Sequence, residues 1–273
     1  MLPNPLFWKV HMYGIMIAVG VLAAFLVLYG YGKKLKINSK LLDFVYYDAI
    51  VSIVLGFGCA ALTQAFYDYL EHPENGFHLS GGITFMGGMV GGTALFFLFY
   101  ALFRKFRQGT HFSDVLSLIP CCILVAHGFG RIGCFFAGCC YGKETDFFLA
   151  VKFPNLPNPV HPTQLYEAAF LFVMFGVCSV LLLRYHYRHN MSLYMVSYGI
   201  FRFLIEFLRG DDRGKFLGVL SPSQFWSILT VIGGVVLYFV MRRVYAKRDA
   251  EKAQEEANAE SQATENASPA ENG

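Results

Sequence analysis

Charge is what this sequence has least of. Only 15% of its 273 residues are Asp, Glu, Lys or Arg, against roughly 25% in soluble domains. The formal net charge of +3 is too small to point to nucleic acid, and no nucleic-acid partner is expected. The cysteines are odd in number, seven, and lack the spacing of an extracellular framework, so no disulfide scaffold is expected. No internal repeat is visible, which weighs against a repeat-built transporter. The first apolar run has no small-residue cleavage site and reads as a retained helix rather than a signal peptide.

What fills the chain instead is apolar. Hydrophobic residues make up 55%, with 28 Phe and 16 Tyr. Windows long enough to cross a hydrocarbon core of roughly 30 Å begin near residues 12, 49, 81, 115, 164, 193 and 225. The expected fold is an all-α polytopic membrane protein with about seven transmembrane helices. Lys33, Lys34, Lys36 and Lys40 follow the first window, Arg104, Lys105 and Arg107 the third, and Arg184 and Arg188 the fifth. Arg242, Arg243, Lys247 and Arg248 follow the last, whereas Asp68, Glu71 and Glu74 stand between the second and third. The positive-inside rule then puts the N-terminus outside and the C-terminus in the cytoplasm. Residues 1–245 read as one membrane domain. Residues 246–273 have no apolar face and read as a charged, frayed helix passing into a disordered cytoplasmic tail.

Against that background the few charges inside apolar segments stand out. Arg202, Glu206 and Arg209 interrupt the sixth window. A charge at mid-bilayer costs on the order of 2.5–3.5 kcal/mol and marks a functional site by default. Their i, i+4, i+7 spacing puts all three on one helical face. Arg131 lies in Gly130-Arg131-Ile132-Gly133, where the glycines give room and can break the helix. A guanidinium presents a planar fork of donors that matches phosphate, so two buried arginines suggest a captured anion. The alternative for Arg131 is an ion pair with Glu206 or Asp114. His127, four residues earlier, shares its face, either as a packed side chain or as a base.

Gly87, Gly88, Gly91 and Gly92 give small-xxx-small spacings, which serve helix packing or a backbone-lined wall for a lipid headgroup. Cys134, Cys139 and Cys140 match no usual zinc spacing. No metal is expected there, and small apolar filling is set against a reactive thiol. His161 and Glu167, around Pro162, read as a helix entrance. Tyr13 fits an interfacial aromatic belt, or a hydroxyl for a headgroup.

These residues resemble the prolipoprotein diacylglyceryl transferases of bacterial inner membranes. His11-x-Tyr13-Gly14 is similar to the family's H-W-Y-G, and Gly81-Gly82-x-x-Phe85-x-Gly87-Gly88 to its D-G-G-x-S-F-H-G-G. Ser113-Asp114 and Ile119-Pro120 resemble the segment before the family's arginine motif. Gly130-Arg131-Ile132-Gly133 resembles G-R-L/I-G-N. His161-Pro162-x-Gln164-Leu165-Tyr166-Glu167 resembles H-P-S-Q-L-Y-E, and Phe201-Arg202-x-x-x-Glu206-Phe207-x-Arg209 matches F-R-x-x-x-E-F-x-R.

The resemblance implies transfer of the diacylglyceryl group of phosphatidylglycerol to the lipobox cysteine of a preprolipoprotein signal peptide, without a cofactor. It implies that Arg131 and Arg202 bind the phosphate, that Glu206 and Arg209 hold Arg202, and that Tyr13 lines the headgroup pocket. It also implies a bacterial inner-membrane location. Two family positions differ: the histidine of F-H-G-G is Met86, and the asparagine after the arginine motif is Cys134. His127, or the paired arginines alone, would then have to generate the thiolate. The competing readings are a phospholipid- or lipopeptide-binding paralogue without activity, and a related transferase with different thiol chemistry.

Overall fold

The computed structural model describes residues 11–79, 82, 84–107, 110–210 and 220–267. Ser80 and Gly81, at the start of the glycine motif, and residues 268–273 of the tail lie outside them. The helices are α1 (Met12–Lys34), α2 (Ser39–Glu71), α3 (Phe85–Leu102), the short α4 (Ser113–Leu116), α5 (Ile119–Ala137), α6 (Thr163–Tyr185), α7 (Asn190–Ile205) and α8 (Pro222–Ala267). Six segments are long and apolar enough to cross a membrane, and α3 adds a shorter apolar stretch, Met86–Leu102. All seven sequence windows thus become helices. In lipid each backbone group must be paired within its own segment, and a helix does that.

Two details depart from the sequence reading. Gly128, Gly130 and Gly133 do not break α5, which is continuous from Ile119 to Ala137. A glycine inside a bilayer helix is tolerated because unpairing the backbone there costs several kcal/mol. Nor does one helix face carry all three charges. The α-helix stops at Ile205, a 3-10 turn spans Glu206–Leu208, and Arg209 is extended. The tail continues α8 to Ala267. Its Ala, Glu, Lys and Gln are strong helix formers, and extending an existing helix needs no new nucleus.

Helix α1 packs on α5, α2 on α3, α5 on α6 and α7 on α8. Glycines make two of these approaches close. A Cβ on Gly20 would stand 2.8 Å from the carbonyl oxygen of Ala126, so α1 rides directly on the α5 backbone. Between α2 and α3, a Cβ on Gly88 would stand 3.1 Å from Ala60 Cβ and 3.3 Å from the carbonyl oxygen of Gly56. Gly87 faces Thr63 in the same seam. These two glycines therefore let α2 and α3 approach closely. A leucine at Gly88 has no room, and Gly88→Leu is expected to destabilise by about 1–3 kcal/mol. A thermal melt in detergent that matches wild type would refute that.

The two ends of the bundle differ in kind. Leu28, Leu41, Val45, Leu118, Leu124 and Leu182 belong to one buried apolar core. They come from the end of α1, the start of α2, the residue capping α5 and its first half, and the end of α6, beside the basic loops. There Arg248 pairs with Asp114 at 2.6 Å and Arg188 with Asp249 at 2.7 Å. The Tyr245 hydroxyl donates to the carbonyl oxygens of Ser113 and Arg188 at 3.2 and 3.3 Å. The opposite end gathers the polar groups.

Candidate functional site opposite the basic loops

Four helix ends meet here: the last turns of α5, the first of α6, the last of α7 and the first of α8. Two arginine-carboxylate units result. In the first, Arg131 Nη2 lies 3.0 Å from Glu167 Oε1. The same oxygen accepts from the Tyr198 hydroxyl at 2.9 Å. Arg131 Nε donates to His127 Nε2 at 3.3 Å, and His127 Nε2 is 3.6 Å from Glu167 Oε1. The His127 ring meets Tyr198 edge-on, with centroids 5.3 Å apart. Glu167 is only 2% exposed, so its buried charge depends on these partners.

In the second unit, Arg202 Nη2 lies 3.0 Å from Glu206 Oε2 and donates to Ser223 Oγ at 3.0 Å. The Ser221 hydroxyl donates to Glu206 Oε1 at 2.9 Å, and Arg209 Nε stands 4.0 Å from Glu206 Oε2. Phe201, the neighbour of Arg202, stacks on Phe170 with ring centroids 4.0 Å apart and so fixes α7 against α6. One donor is left over. Arg202 Nη1 is buried and has no hydrogen-bond partner among the described residues. The two units are adjacent on α7, where Tyr198 of the first and Arg202 of the second stand one helical turn apart.

The structure thus brings together His127, Arg131, Arg202, Glu206 and Arg209. It corrects the ion pair considered for Arg131: the partner is Glu167, while Glu206 belongs to Arg202 and Asp114 to Arg248. Glu167 is not merely part of a helix entrance but the hub of the first unit. Its signal is that it is the only acidic residue of α6. Tyr13 packs over Gly133, whose Cβ would stand 3.1 Å from the Tyr13 ring, close to Arg131 and the cysteines. Gly87 and Gly88 are placed in the α2–α3 seam, with no contact to either unit among the neighbours of a Cβ there. Met86 is exposed at the start of α3.

A third group borders these two. The sulfurs of Cys134, Cys139 and Cys140 lie within 4.8 Å of one another, and the Cys140 thiol is hydrogen-bonded to Arg209. The Cys134 and Cys139 thiols, with Arg209, hold Cys140 below the usual thiol range. The connecting loop is tied to the second unit through its backbone. Gly142 bridges Arg209, and Lys143 N donates to the carbonyl oxygen of Leu208 at 2.7 Å. The His161 ring nitrogen Nδ1 meets the Tyr166 hydroxyl at 3.3 Å, a local contact at the loop's return.

Buried, forked cations in a membrane bundle, one with a donor unmet among the described residues, suit an anionic lipid headgroup, and known proteins are similar along most of the chain. Residues 4–240 match the family described as prolipoprotein diacylglyceryl transferase. A phosphatidylglycerol–prolipoprotein diacylglyceryl transferase of Clostridium tetani is 35% identical over 247 residues, covering 86% of this chain and 94% of that relative. A second, from Clostridium perfringens, is 33% identical over 255 residues, covering 89% and 96%. One from Methylococcus capsulatus is 31% identical over 257 residues, covering 89% and 94%. With the seven apolar helices and the arginine-carboxylate units in place, the chain belongs to the prolipoprotein diacylglyceryl transferase family.

Proposed function

We propose that this protein transfers the diacylglyceryl group of phosphatidylglycerol to the lipobox cysteine thiol of a preprolipoprotein in the bacterial cell membrane. The observation that carries the reading is Arg202 Nη1, a buried guanidinium donor with no partner among the described residues. Leaving such a donor unmet costs about 1–3 kcal/mol, more for a charged group. A phosphate oxygen removes that cost. By the positive-inside rule the polar end of the bundle faces away from the cytoplasm, the side on which a lipobox peptide is presented after export.

The reaction is displacement at a saturated carbon. A carbon–sulfur bond forms, the carbon–oxygen bond to phosphate breaks, and glycerol phosphate leaves with the bonding pair. The thiol proton passes to solvent. Charge grows on the departing phosphate, so Arg131 and Arg202 assist most if they hold it tightest in the transition state. Glu167 and Glu206 fix the two guanidinium groups, and Tyr13 closes the headgroup side.

His127 is better used as a positioning residue than as the base. Its Nε2 already accepts from Arg131, and proton uptake there would break that bond. Met86 cannot take a proton, so Met86→Ala is expected to leave turnover within about threefold, or about 0.7 kcal/mol. Purified protein with phosphatidylglycerol and a lipobox peptide should release glycerol phosphate. Lipid binding without release would instead favour the non-enzymatic paralogue, the reading that Met86 in the histidine position supports. Thioether formation abolished by Met86→Ala would show that the methionine is required.

A further inference from the structure

The thiols bordering the site have no part in the chemistry so far, yet the chain is shaped to gather them. Cys134 lies in the last turn of α5. Gly138, with φ of 70°, turns the chain out of the helix, and Cys139 and Cys140 come back over it. Cys140 itself has φ of 64°, a left-handed conformation that costs a side-chain-bearing residue on the order of 1–3 kcal/mol. Two buried side chains of α6 hold the pair in place. Gln164 Nε2 donates to the carbonyl oxygen of Cys139 at 2.5 Å, and Thr163 Oγ1 to that of Cys140 at 2.8 Å. Small apolar filling needs neither a strained residue nor buried anchors. It also does not put Cys139 at the exposed surface.

The sulfur spacing fits a cation. Metal–sulfur bonds of roughly 2.3 Å in a tetrahedron put the ligand sulfurs about 3.8 Å apart, and all three sulfurs here lie within 4.8 Å of one another. We propose that Cys134, Cys139 and Cys140 bind one thiophilic d10 cation of the zinc class, leaving its fourth position open. Each thiol releases its proton to solvent as its sulfur–metal bond forms. A divalent ion with three thiolates carries one negative charge, and Arg209, hydrogen-bonded to Cys140, offsets it.

Three protein ligands with one open position is the pattern of a reactive rather than a structural zinc site. A thiol entering that position loses its proton outright. This second half rests on the transfer reading: the entering thiol is the lipobox cysteine, and the site supplies the activation that Met86 cannot. Sulfur then attacks the glyceryl carbon, its bond to the cation breaks, and the position reopens.

The test uses the full chain in detergent, reduced and stripped of metal, titrated with Cd2+. A thiolate-to-cadmium absorption band should grow to one ion per chain and fall on adding Zn2+. Cys139→Ser and Cys140→Ser should each weaken binding at least about tenfold, or about 1.4 kcal/mol, while Cys59→Ser should not. No band, or a band that survives the Cys139→Ser/Cys140→Ser double variant, overturns the site. So does a tryptic peptide 132–143 that is lighter by two hydrogens and resists loading, because that is a disulfide.

A lipobox peptide should shift the band, and its serine analogue should not; equal response overturns the open-position half. Turnover without cadmium binding removes the cation and leaves the transferase reading standing. Cadmium binding without glycerol phosphate release does the reverse.

Discussion

Glu167→Ala should destabilise the protein by about 3–5 kcal/mol, the range for removing one side of a buried ion pair. The reason is what the substitution leaves behind. Arg131 Nη2 and the Tyr198 hydroxyl both lose their acceptor, at 3.0 and 2.9 Å, in a part of the bundle where Glu167 is only 2% exposed. His127 cannot replace it, because its Nε2 already serves Arg131 Nε. Glu167→Gln keeps one acceptor oxygen and should cost less. Denaturant unfolding in micelles measures both. A Glu167→Ala midpoint equal to wild type would mean that Arg131 has another counter-ion, and the hub would lose its role.

Arg202→Ala should act on rate more than on stability. Its carboxylate keeps two other partners, the Ser221 hydroxyl at 2.9 Å and Arg209 at 4.0 Å. What disappears is the forked donor set proposed for the phosphate. Removing a donor that meets developing charge costs about 10²–10³ in kcat, and glycerol phosphate release reads that loss. Arg202→Lys should recover only part of it, since an ammonium cannot present two parallel donors. The fall should appear in kcat rather than KM if the phosphate is held more tightly as it leaves. Unchanged kcat in Arg202→Ala would remove this arginine from the chemistry.

The sequence made most of the bundle visible because the membrane leaves few options. A long apolar window there is a helix, and each of the seven windows became one. Arg131, Arg202 and Glu206 were equally visible, since charge in such a window needs a reason. What stayed hidden depended on folding in three dimensions. Glu167 sits just after Pro162 and Thr163, so its position suggested a helix start. Only the approach of α5 and α7 reveals it as the shared acceptor of Arg131 and Tyr198. Arg209 seemed to belong to a helical face, yet the 3-10 turn Glu206–Leu208 delivers it to Glu206 and Cys140 by another path. The thiol cluster was the least legible. Its spacing means nothing until Gly138 and Cys140 both take left-handed backbone angles.

The glycine seam between α2 and α3 has a thermodynamic side as well. Helix α3 packs mainly on α2, and the pair is joined to the other helices chiefly near the basic loops, where Phe96 and Tyr100 meet Phe112. Among the described residues, the ionic units draw on α5, α6, α7 with the 3-10 turn and Arg209 that follow it, and the start of α8 with Ser221 before it. The α2–α3 hairpin and the helices that carry the ionic units thus meet at one apolar joint, and opening free energies need not be uniform across such a structure. The hairpin can loosen without breaking a single arginine-carboxylate pair. Its packing is set by methyl-sized tolerances between Gly56, Ala60 and Gly88 rather than by the electrostatics of the site.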